Sequence, residues 1–182
     1  FVAKESATSP NLAVAYKVPA VNHADYYALD VLQSVMAGGK TSRLYKALVE
    51  KQLATEVSAE SIDGFDPGLL YLTAVAAPKV SAADLEKALL VEVDKLVKDG
   101  ISDEELQKVK NQKVVGLYRA FETINGTAQA LGYSEVFYGD YKKAFDAPAA
   151  YQKLKTADIQ AVAAKYLKKS QRTIGVLAAK EE

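Results

Sequence analysis

The chain has 182 residues, enough for one compact domain that buries its own core without staples. Lys plus Arg and Asp plus Glu are equal at 23 each, so no net field draws nucleic acid or an anionic membrane surface. No apolar run is long enough to span a bilayer, and the absence of cysteine excludes disulfides, thiolate nucleophiles and Cys-ligated zinc. The cysteine-free composition suits an exported, periplasmic protein. Phe1 opens the chain with no initiator Met and no basic or apolar leader, so a piece of a longer protein is expected, with any signal segment upstream.

After the polar lead FVAKESATSP, alternation over Asn11 to Val18 predicts a strand that Pro19 ends. Ala28, Val31, Leu32, Val35 and Met36 recur at helical spacing, which predicts a helix from Ala24 to Ala37 stopped by Gly38 and Gly39. A shorter helix is expected from Thr41 or Ser42, whose hydroxyl would cap it, through Leu44 and Leu48. Leu53, Thr55, Val57 and Ala59 then alternate with Glu56, Ser58 and Glu60, as on a half-exposed strand. The turn Asp63 to Gly68 joins it to Leu69 to Ala77, apolar on both faces like a central strand, so the two should pair as a hairpin.

Pro78 closes that strand, and Ser81 opens a long helix with Leu85, Ala88, Leu89, Val93 and Leu96 facing the core, ending at Gly100. Ser102 with Glu105 spells a capping box for the next helix, which carries Leu106, Val109 and Leu117. That helix either continues or breaks near Asn125 and Gly126 before more helix to about Tyr138. Tyr138 to Ala150 reads as a turn region containing Pro148, and Thr156 as the cap of a last helix with Ile159, Val162, Ala163, Tyr166 and Leu167 buried. A final strand covers Arg172 to Ala179. The order predicts one α+β domain over residues 1–182: a mixed, largely antiparallel sheet with helices packed against it.

Gly39-Lys40-Thr41 has the look of the end of a phosphate-binding loop, yet Ser34 stands where its first glycine is required and a helix precedes it instead of a strand. A glycine helix stop is the better reading. His23 is the single histidine, so neither a multi-imidazole zinc site nor a complete nucleophile-histidine set can be assembled. Asp103, Glu104 and Glu105 sit in a first helical turn, where favourable alignment with the helix dipole accounts for them. The 11 tyrosines are scattered and read as core-edge positions, with no pattern of a base-stacking platform.

The element order, together with GG..SRLYKALVEK after the first helix, FYGD after the helical run and TADIQAVAAKYL....RTIGVL at the end, resembles the pitrilysin or insulinase family of zinc peptidases, which includes the mitochondrial processing peptidase. The resemblance covers nearly the whole chain. It implies a clam-shell protein of homologous α/β domains around a chamber for peptides, with zinc held by an H-x-x-E-H motif on one of them. A chain with one histidine then resembles the second, inactive domain, the C-terminal non-catalytic half of a longer two-domain chain, needing no cofactor of its own while zinc sits in the parent enzyme or a partner. Implied partners are a zinc-carrying companion domain or subunit, a peptide or unfolded polypeptide, and a second long chain in a homo- or heterodimer. Gly38 and Gly39 match, in shortened form, a glycine-rich loop that handles substrate in the processing peptidase's non-catalytic subunit. Some members clamp substrate with an Arg and a Tyr; Val49 and Thr55 stand at those places in a stretch one residue shorter, which removes the bidentate donor. A zinc-free partner or scaffold subunit of the same family is the alternative expectation.

Overall fold

The computed structural model describes residues 2–5 and 9–179. Val2–Glu5 forms a short strand, β1, that the polar lead gave no reason to expect. The alternating stretch becomes β2 (Asn11–Val18), and the predicted hairpin becomes β3 (Ala54–Ser61) and β4 (Gly68–Ala76), closed by β5 (Arg172–Ala179). One sheet results, in the order β1-β5-β2-β4-β3. Its pairings are antiparallel except for β1 against β5, which is parallel, so the predicted mixed, largely antiparallel sheet is what forms.

Helices α1 (Tyr26–Ala37), α2 (Ala82–Asp99) and α6 (Thr156–Tyr166) pack on a single face of this sheet. Leu12, Val14 and Tyr16 of β2 and Leu70 and Leu72 of β4 point into that layer, meeting Val31, Leu32 and Met36 of α1, Leu85 and Leu89 of α2, and Ile159 of α6. Each fully buried leucine there stabilises the fold by about 1.5–3 kcal/mol relative to exposure. Outside this layer lie α3 (Asp103–Phe121), α4 (Ile124–Tyr138) and α5 (Lys143–Lys153), which pack mainly on one another and on α1. The buried Lys110 of α3 donates to the Gln152 carbonyl at 3.0 Å and ties α3 to α5.

Several local expectations are corrected. The first helix starts at Tyr26, two residues after Ala24, and its N-cap Asp25 makes no side-chain cap bond because its carboxylate is taken by Lys165 and Tyr166. The short helix after the glycines does start behind Ser42, whose carbonyl accepts the Lys46 amide at 3.1 Å, but it turns π-helical over Tyr45–Val49, and the Ser42 hydroxyl donates backwards to the Gly39 carbonyl at 2.6 Å instead of capping it. A bulge between Ala54 and Glu56 breaks the predicted alternation, burying Ala54 and leaving Thr55 exposed. In β4 only Leu70, Leu72, Ala74 and Ala76 are buried, because helices cover one face of the sheet and not both.

The α3–α4 break falls at Glu122 and Thr123, ahead of Asn125 and Gly126, and the Thr123 hydroxyl accepts from the Gly126 amide. Most of the supposed turn region from Tyr138 to Ala150 is α5, which keeps Pro148 in its interior because Ala144 and Tyr151 are anchored in the packing. The last helix is capped one residue earlier than expected, at Lys155, whose amide donates to Asp158. The caps at Ser81 and Ser102 form as read.

Candidate functional site

The paired glycines stop α1 for steric reasons. A Cβ on Gly38 would sit 2.3 Å from the Ser34 carbonyl oxygen, and Gly39 adopts a φ of 98°, the region that glycine enters freely. Both are exposed. The turn that follows is bolted to α3: Arg43 donates to both Glu105 oxygens at 2.7 and 2.8 Å and to the Gly100 carbonyl at 2.9 Å, and Lys108 reaches the Thr41 hydroxyl. Hydrogen bonds from Arg43 come first in holding the Glu105 carboxyl down to about 2, and the Ser102 amide adds to them against the cost of burial. The matched Arg43-Leu44-Tyr45 stretch therefore works as a corner brace between α1, α2 and α3. Val49 is half-buried against the core and Thr55 is exposed in the bulge, its hydroxyl 3.5 Å from the Val75 carbonyl, so neither offers a charged clamp.

Sequence reasoning scattered the tyrosines; the fold gathers five. Tyr26 and Tyr27 at the start of α1, Tyr133 and Tyr138 of α4, and Tyr151 of α5 line a cavity of about 340 Å³ floored by Leu117, Ala130 and Ala147. Tyr27 meets Tyr26 and Tyr151 edge to face, with ring centroids 5.5 and 5.0 Å apart. The Tyr133 hydroxyl donates to Asp63 at 2.6 Å, Tyr26 donates to the same oxygen at 3.2 Å, and Tyr151 donates to Asp30 at 2.6 Å. Burial first, and then these carboxylates, push the Tyr133 and Tyr151 hydroxyls well above the usual phenol range, and burial likewise raises Tyr26, Tyr27 and Tyr138. Gly38 and Gly39 are not among the residues that line this cavity. No spacing rule could have found it, since its walls come from helices more than a hundred residues apart in sequence, as the 107-residue separation of Tyr26 and Tyr133 shows.

The second surface is the sheet face that carries no helix. Its rows run Gly175, Ala13, Thr73, Ser58 and Leu177, Asn11, Val75, Glu56 across the paired strands. Ala13, Ala15, Leu69, Tyr71, Val75 and Leu177 are all only half-buried. A shallow groove of about 330 Å³ crosses it over β2, β4 and β5. Among the described residues β3 is the outermost strand beyond it. His23, the single histidine, accepts the Asp25 amide on Nδ1 at 3.0 Å, and among the described residues no group of three His, Cys, Asp or Glu is placed to hold a metal ion.

Residues 1–113 match the profile of the peptidase M16 inactive domain. Over 163 residues the chain is 31% identical to the zinc protease PqqE of Helicobacter pylori, covering 89% of this chain and 36% of that protein. It is 27% identical over 140 residues to YmxG of Bacillus subtilis, an uncharacterized zinc protease, covering 76% and 34%. The chain thus spans about a third of the length of the curated relatives it matches. Among solved structures, a protease from Helicobacter pylori superimposes with a TM-score of 0.91 at 28% identity over 98% of this chain and 43% of that one. An inactive peptidase domain from Bordetella parapertussis superimposes with a TM-score of 0.85 at 26% identity, over 98% and 95%.

Proposed function

The chain belongs to the peptidase M16 inactive-domain family, and on that premise we propose that it is the non-catalytic wall of a zinc-dependent peptidase whose metal-binding motif lies in another domain or subunit. The observation that carries this reading is the uncovered sheet face. A sheet that buries Leu12, Leu70 and Leu72 on one side while leaving Ala13, Ala15, Tyr71, Val75 and Leu177 half-exposed on the other is built for something to lie against it. A companion domain or an enclosed peptide fills that role, and excluding bulk water from a peptidase chamber is work that needs no catalytic side chain.

Two further features favour contact with a peptide. β3 is an edge strand whose outer row of backbone groups can accept an extended segment, with main-chain bonds supplying affinity. Gly38 and Gly39 form an exposed turn with no side chain in the way, so a polypeptide backbone can approach closely there. The single histidine of the chain leaves zinc and its water to the companion.

Because the 182 residues hold no cysteine, labelling can test the wall, with any cysteine elsewhere in the full-length parent first replaced by serine. An Ala15→Cys probe on the open face and an Ala83→Cys control on the outer side of α2 are each treated with a bulky polyethylene-glycol maleimide. In the 182-residue chain alone both label; in the full-length parent, Ala15→Cys is shielded and Ala83→Cys is not. Equal labelling of the two positions in the parent would contradict a walling role. Shielding in a parent that binds no zinc would instead identify a scaffold subunit.

A further inference from the structure

The tyrosine cavity is more than a wall requires. It has room for a long side chain, about 340 Å³, and is bounded by Tyr26, Tyr27, Tyr133, Tyr138, Tyr151 and Leu117. Three of the five hydroxyls are already committed, those of Tyr26 and Tyr133 to Asp63 and that of Tyr151 to Asp30. A phenol that donates to a carboxylate has no hydrogen left for an incoming anion, which would also meet the field of that carboxylate. The same ring offers its negative face to a cation.

The charges around the cavity point the same way. Asp30 is matched by Lys113 at 2.7 Å, and Lys143, the one cation on the lining among the described residues, is matched by Asp146 at 3.2 Å. Asp63 has no ion-pair partner among the described residues, so one negative charge adjoining the rings is left without a counter-ion. Leu117, Ala130 and Ala147 give an alkyl chain apolar surface to lie on.

We propose that this cavity binds an organic cation: an ammonium or guanidinium on an aliphatic stem, carried either by a lysine or arginine side chain of a peptide or by a free alkylamine. The stem packs on Leu117 and the alanines, the charged head lies among the tyrosine rings, and Asp63 supplies the long-range attraction. The site rests on its tyrosine lining and on Asp63 beside it, and does not depend on the parent being a peptidase.

Calorimetric titration of the 182-residue chain with N-acetyl-lysine amide, N-acetyl-arginine amide and butylamine tests it, against N-acetyl-norleucine amide as the uncharged match and N-acetyl-glutamate amide as the anion. The cations bind at least about tenfold more tightly than norleucine, as a partly desolvated cation on aromatic rings should. Binding of the peptide-like cations without butylamine identifies a peptide source, and the reverse a free amine; both support the site. Ala130→Trp, which fills the cavity, abolishes binding while circular dichroism stays unchanged. Asp63→Asn weakens the cations about threefold, the scale of one solvent-screened charge, and Lys143→Met, which removes the cation on the lining, strengthens them. Norleucine binding as tightly as lysine, any preference for glutamate, no cation binding by the folded chain, or weaker binding in Lys143→Met would overturn the proposal.

Discussion

Glu105 closes the capping box of α3 by accepting the Ser102 amide at 2.9 Å while holding Arg43 through two more bonds. Only the first role was legible in the sequence, because a cap is read from residues three apart, whereas Arg43 lies 62 residues away. The tyrosine cavity escaped for the same reason: each ring alone is an ordinary core-edge residue, and only the packing of α1, α4 and α5 makes them neighbours. The Arg43–Glu105 pair is partly exposed, at 20% and 31%, so solvent screening reduces its worth. Glu105→Gln, which retains an oxygen for the cap, is expected to cost about 1–2 kcal/mol at neutral pH. The carboxyl lies at about 2 in the folded chain against an ordinary value of 4.5, so its contribution is complete above pH 4.5 and is lost as pH falls toward 2. Urea unfolding of both forms across that window should show their stability gap closing as the solution is acidified; a gap independent of pH would mean the pair contributes nothing through its charge.

Among the elements, those with a clear period and a capping signal were readable, and those set by distant packing were not. β2, the hairpin, α2, α3 and β5 follow from alternation, helical spacing and the serine caps. β1 could not be foreseen, since four residues carry no pattern and its partner β5 comes from the far end of the chain. α5 was hidden by Pro148, which argues for a turn on local grounds, yet the helix runs through it with Ala144 and Tyr151 holding it down. An interior proline costs roughly 3 kcal/mol in a helix, of which about 1 kcal/mol is recovered because it stiffens the unfolded chain. Pro148→Ala is therefore expected to raise the unfolding free energy by about 1–2 kcal/mol, measured as a higher urea midpoint with an unchanged slope. A lower midpoint would show that the proline shapes α5 to fit its neighbours.

At the scale of the whole molecule, the α+β class and the mixed sheet were legible because strand and helix periods alternate cleanly along the chain. What the sequence hid was the one-sidedness of the layers: β4 reads as apolar throughout, and only the structure shows that its second face is left half-open. That open face and the single histidine both fit the division of labour proposed above, in which this chain contributes surface and a companion contributes the metal. The most direct measurement is zinc content by mass spectrometry, made together with hydrolysis of an unfolded polypeptide, on the full-length parent and on the 182-residue chain. Stoichiometric zinc and cleavage in the parent, with neither in the 182-residue chain, is the expected result; stoichiometric zinc or cleavage in the 182-residue chain by itself would contradict it.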